Sequence, residues 1–102
     1  MFMSNNGNNM TDDDYAFYRE AFANKPYVYQ KVFRLIEAEL VDRRGMDRSF
    51  VRHTLRNNFS VHRDGHYYVL QFCYRTAKVS SNKKVLWPIV QMLLKNWRGL
   101  RD

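Results

Sequence analysis

Between residues 29 and 40, Tyr29, Val32, Phe33, Ile36 and Leu40 recur at steps of three and four. That spacing puts five large apolar side chains on one side of an α-helix and on no single face of a strand. It predicts a helix over about residues 26–43, opened by Pro26 in its first turn and closed by Gly45. A helix with so oily a stripe must be covered, so the rest of the chain has to supply opposing apolar faces.

The other elements follow from local chemistry. Thr11 is a good N-cap, and Asp12, Asp13 and Asp14 fill a first turn where the helix dipole favours negative charge. A short helix over about 12–23 follows, its face built from Tyr15, Tyr18, Ala21 and Phe22, until Asn24-Lys25-Pro26 breaks it. A third helix starts at Asp47, with Met46 and Val51 spaced as a hydrophobic staple, and ends near Asn57-Asn58. Its apolar side is Val51 and Leu55, joined by Phe50 and Thr54. Asp64-Gly65 between two β-prone runs predicts a hairpin with a type I′ turn, pairing Arg63 with His66 and Val61 with Tyr68. Phe59, Val61, Tyr68, Leu70 and Phe72 then share an oily face. Residues 76–84 read as a polar, basic loop. The last helix starts at or just before Pro88, buries Ile89, Leu93 and Trp97, and ends at Gly99.

The expected fold is therefore α+β and mainly helical: three helices, a β-hairpin and a C-terminal helix. Residues 1–10 read as a flexible tail and residues 11–102 as a single globular domain. At 45% apolar and 16% aromatic, the chain is too oily to remain disordered. The single cysteine, Cys73, rules out an intrachain disulfide. With no signal-like start and no long apolar run, the expectation is an intracellular protein without a membrane segment.

Charge is unevenly placed. The net charge is +7, but residues 1–24 carry −3 and residues 25–102 carry +10. Such a domain attracts polyanions. The sharpest feature is on the third helix, where Arg48, Arg52 and Arg56 are spaced i, i+4, i+8, with Ser49 and His53 beside them. If Val51 and Leu55 are buried, these arginines face outward, and nothing nearby in sequence neutralises Arg52 or Arg56. Like charges at that spacing repel, and a phosphate backbone relieves the repulsion. Arg44 precedes the row, and Arg63 lies at the hairpin tip. The candidate nucleic-acid contacts are thus Arg44, Arg48, Ser49, Arg52, His53, Arg56 and Arg63, with DNA favoured over RNA.

A helix, a short turn, a second helix and a hairpin form the order of a winged helix, with the third helix in a major groove and the hairpin along the backbone. Three patches carry a family resemblance. Lys25-Pro26-Tyr27 with Tyr29, then Ser49-Phe50-Val51-Arg52-His53-Thr54-Leu55 followed by Asn57 or Asn58, then Gly65-His66-Tyr67-Tyr68-Val69-Leu70, together resemble forkhead winged-helix domains. Forkhead domains carry a further helix between the first two patches, where this chain has about a dozen residues. The resemblance implies Arg52 and His53 as base readers, with Asn57 or Asn58 beside them.

No phosphate-binding glycine loop, nucleophile elbow or paired carboxylates are present, so no enzymatic activity, metal or cofactor is expected. His62 and His66 fall on opposite faces of a tight hairpin and make no metal pair. Two alternatives stand beside duplex binding. The excess of aromatics suits a protein-interaction module, such as a viral or plasmid factor docking on a host enzyme. RNA binding would use Tyr67, His62 and Arg75 on the hairpin's wet face. A homodimer is compatible with any of these.

Overall fold

A computed structural model of the chain describes residues 10–97. Helix α1 (Asp12–Ala21) is opened by Thr11, whose hydroxyl accepts from the Asp14 N–H at 3.1 Å while the Asp14 carboxylate accepts from the Thr11 N–H at 3.2 Å. This reciprocal capping box satisfies two of the otherwise orphaned donors. Its inward face is Phe17, Tyr18, Ala21 and Phe22; Tyr15, expected in that face, is exposed. The reason is angular. Asp14, Phe17, Tyr18 and Ala21 lie at i, i+3, i+4 and i+7, and the charge partner of Asp14 sets which side turns inward.

Helix α2 (Tyr27–Ala38) buries Tyr29, Val32, Phe33 and Ile36 as its stripe requires, then widens into a π-helical turn (Glu39–Arg43) that buries Leu40. Gly45, at φ +72, ends it: the Gly45 N–H donates to Val41 and the Met46 N–H reaches back to Leu40 at 2.9 Å. Helix α3 (Arg48–Asn58) follows, capped by the Asp47 carboxylate on the Phe50 N–H at 2.9 Å. It buries Val51, Thr54 and Leu55, while Phe50 is exposed.

The chain then forms three antiparallel strands in the order β1 (Phe59–Asp64), β2 (Tyr67–Phe72) and β3 (Arg75–Ser80). Two corrections arise here. The first hairpin is displaced by two residues from the expected register, with Asp64 opposite Tyr67 and Val61 opposite Leu70. Gly65 takes φ +62 at the first loop position and His66 does not share it, the pattern of a II′ turn that wants glycine first. Because the shift is even, every side chain keeps its face. The second correction is β3 itself, where a loop was expected. Ala77 and Val79 are buried between exposed Thr76 and Lys78, and the strand satisfies backbone groups along β2 that would otherwise form an open edge.

Helix α4 (Trp87–Leu94) carries Pro88 at its second position and buries Ile89, Val90, Leu93 and Leu94. It stops short of the expected end: Asn96 adopts φ +59 and turns Trp97 back into the core. Gly99 and all of the expected tail except Met10 lie outside the described residues. Helix α3 lies against β1 and β2, α4 against β3, and α2 touches α3, α4 and β1. One core joins them all. Of the apolar faces expected to build it, Tyr18, Phe22, Val61 and Tyr68 are half-buried and Tyr15 and Phe50 exposed, while the rest are buried. Tyr29 stacks on Phe59 at 4.6 Å and its hydroxyl donates to the Phe59 carbonyl at 3.3 Å, pinning α2 to the α3–β1 junction.

The status of β3 is open to measurement. Val79→Ala should lower stability by about 2 kcal/mol, the cost of emptying a buried site. Lys78→Ser, on the solvent side beside an exposed ion pair with Asp64, should change it by less than about 0.5 kcal/mol. Urea denaturation of both variants checks this; equal small effects would mean that residues 75–80 do not pack as a strand.

Candidate nucleic-acid interface

Helix α3 presents its arginines to its neighbours more than to solvent. Arg52 lies under α1, its side chain 15% exposed. Its Nε donates to Glu37 Oε2 at 2.7 Å and its Nη2 to Asp14 Oδ1 at 2.9 Å, with a further hydrogen bond to the Tyr18 hydroxyl at 3.2 Å. The guanidinium also sits 4.5 Å from the Phe17 ring centroid and 5.0 Å from that of Tyr18. Arg48 donates to the same Glu37 oxygen at 2.8 Å and reaches Asp42 at 3.4 Å; Arg56 reaches Glu20 at 3.3 Å. Arg52 and Arg56, which nothing nearby in sequence neutralises, are thus both paired in the fold, and the expectation that the whole row faces outward is corrected for Arg52. The acids arrive from α1 and α2, distant in sequence, so no local reading of the third helix could show them.

Glu37 is the centre of this network. Its side chain is only 3% exposed, and it accepts from Arg48, Arg52 and the Tyr18 hydroxyl. A buried carboxylate needs such company, because desolvation penalises its charge heavily. Burial, with Glu37 adding to it, pushes the Tyr18 phenol up from its ordinary value. Burial works to lower the Arg52 guanidinium, but its bonds to Glu37, Tyr18 and Asp14 outweigh that and raise it. The Thr11 N–H first, and Arg52 second, hold the Asp14 carboxyl below the usual carboxylate range.

What remains open on α3 is a groove of about 690 Å³ lined by Phe17, Arg48, Ser49, Arg52, His53, Arg56 and Asn57. Five of the seven predicted contact residues therefore line one surface. Arg48 and Arg56 are 45% and 38% exposed, and Ser49, His53 and Asn57 lie wholly on the solvent side, Asn57 within 3.0 Å of the His53 Nε2. The other two predicted residues are elsewhere. Arg44, with Arg43, is held on Glu39, the buried first residue of the π-helical turn. Arg63 folds back on its own hairpin, its Nε donating to the Gly65 carbonyl at 2.7 Å.

The ion pairs redistribute the surface charge. Among the described residues, six Lys/Arg and six Asp/Glu pair with one another, leaving Arg19, Lys25, Lys31, Arg34, Arg63, Arg75, Lys83, Lys84 and Lys95 without an acidic partner. Only Asp12, Asp13 and Asp47 are left on the acidic side, all in helix caps or first turns. Several of these cations escaped the sequence reading because they follow no run. Their signal is a negative one: Tyr27, Lys31 and Arg34 are what the buried stripe of α2 leaves outside.

No three His, Cys, Asp or Glu side chains among the described residues are grouped as metal ligands, and no helix among them is long and apolar enough to cross a membrane. Comparison with family models, curated proteins and solved structures gives no match.

Arg52 and Arg56 should separate in mutagenesis. Arg52→Ala strips a partner from a buried carboxylate and should lower stability by about 3 kcal/mol. Arg56→Ala breaks an exposed pair and should change it by less than about 1 kcal/mol. Asp14→Asn should reduce the melting temperature at neutral pH through about 1 kcal/mol. Because the folded-state pKa of Asp14 is depressed, that stabilisation is complete above the ordinary aspartate value of about 3.9 and lost as the pH falls through the folded value. The melting curves of Asp14→Asn and the intact protein should therefore converge in acid.

Proposed function

We propose that this protein binds nucleic acid, chiefly through the phosphate backbone. The observation that supports this is the charge left after pairing: among the described residues, nine unpartnered Lys/Arg against three Asp/Glu, all three of them confined to helix starts. Such a surface releases counterions from a polyanion on binding. In the duplex reading, in the manner of a winged helix, the open side of α3 faces the major groove. Ser49, His53 and Asn57 would meet base edges, Arg56 would exchange the exposed Glu20 for a phosphate, and Arg48 would exchange the exposed Asp42 while staying bonded to Glu37. Arg52 would keep its place under α1 as the residue that holds α3 in position.

A second reading, protein docking, is favoured by one observation: Val85, Trp87 and Met92 are 67%, 42% and 51% exposed around α4. The two differ in their response to salt. Fluorescence anisotropy with a labelled duplex should show affinity falling steeply as salt rises. Arg48→Ala and Arg56→Ala should each lessen the slope by about one unit. A protein that binds neither duplex nor single strand at low salt would refute the nucleic-acid reading, whereas partner binding that survives high salt would favour docking.

A further inference from the structure

Four of the nine unpartnered cations line two grooves that share Tyr27. The solvent side of α2 carries Tyr27, Lys31 and Arg34 at i, i+4 and i+7, a single line about 10 Å long at the helical rise. Tyr27 is 69% exposed, more than any other large hydrophobic or aromatic side chain among the described residues. Beside it a groove of about 470 Å³ runs past Lys31 and Arg34 over the rings of Tyr18 and Phe22. A second groove, of about 650 Å³, is lined by Tyr27 and the turn after β3, including Lys83 and Lys84. Tyr27 lines both grooves, and no acidic side chain among the described residues lines either. The Arg34 guanidinium is held 5.1 Å from the Tyr18 ring centroid, which keeps its charge at the groove wall without pairing it.

We propose that this strip is a binding site for a single-stranded polynucleotide, separate from the open side of α3. Lys31 and Arg34 take phosphates in one groove, Lys83 and Lys84 take them in the other, and one unpaired base stacks on Tyr27. The chemistry selects a single strand over a duplex. A projecting aromatic ring shared by two cationic grooves needs a free base face, which a duplex buries within its stack. The α3 surface differs: its arginines are matched by carboxylates, and its groove offers the hydrogen-bonding side chains of Ser49, His53 and Asn57. Single-stranded DNA and RNA share the needed chemistry. The proposal rests on the nucleic-acid reading above and locates a site which that reading does not use.

The test uses the full chain and labelled oligothymidylate, oligouridylate and duplex DNA, each about 12 nucleotides long, within the range of a single-strand site. Four phosphate contacts predict a salt slope near −3 on single strands, at about 0.7 per contact. Lys31→Ala/Arg34→Ala should reduce its magnitude by about 1.4. Tyr27→Ala should weaken single-strand binding about tenfold, the lower range of base–aromatic stacking, while Tyr27→Phe keeps it. Arg19→Ala/Lys95→Ala removes the same charge from outside both grooves and should leave Tyr27-dependent affinity intact. All these positions are at least partly exposed, and unchanged melting curves confirm that each variant is folded. Equal losses in the strip and control variants would mean diffuse attraction and would overturn the site. So would single-strand affinity indifferent to Tyr27→Ala. Duplex binding without single-strand binding defeats this proposal alone, and binding to no probe defeats it together with the nucleic-acid reading.

Discussion

A carboxylate taken out of water must be paired, and Glu37 meets that requirement by drawing on three helices at once. It stands on α2, accepts from Arg48 and Arg52 of α3, and accepts from Tyr18 of α1. Arg52 extends the link to Asp14, which also closes the N-terminal capping box of α1. The cap of one helix, the interior of a second and the outer row of a third thus form a continuous polar chain. Such a chain is weak evidence for net stability, since desolvation offsets much of the attraction. Its effect is geometric: the observed orientation of α1 is the one that brings Asp14 and Tyr18 to Arg52.

The aromatic contacts agree with that orientation. Phe22 meets Phe33 edge-on at 5.1 Å, and Phe17 lies over the Arg52 guanidinium. The acidic first helix therefore serves as the electrostatic partner of the basic third one. This determines where positive charge survives. The arginines that crowd one stretch of sequence are largely answered by acids, while lysines and arginines dispersed over α2 and the turn after β3 are not. The field that attracts an anion is set by this remainder and not by the local density of arginine.

Much of the architecture was legible because its causes are local. Thr11 and Asp47 cap helices for reasons contained within three residues of chain, and Gly45 terminates one because glycine tolerates a left-handed backbone. The stripe from Tyr29 to Leu40 needs only the helical period. The faces of the first hairpin were also readable, since alternation survives an even shift in register. Strand β3 was not: its buried pair, Ala77 and Val79, is small and set among Thr, Lys and Ser, and it becomes apolar surface only when β2 lies beside it. The candidate groove was legible as a set of neighbours on α3, but the state of its charges was not.

The sequence by itself determined where the helices lie, the caps at Thr11, Gly45 and Asp47, the direction in which Val51 and Leu55 point, and an excess of positive charge. These depend on interactions within a turn or two of backbone. Only the tertiary structure decided which cations are free. Asp14 and Arg52 are 38 positions apart, and Glu20 and Arg56 are 36 apart. Coulomb attraction acts over a few ångströms of space and is indifferent to chain distance, so the pairing of charges exists only once the helices have packed.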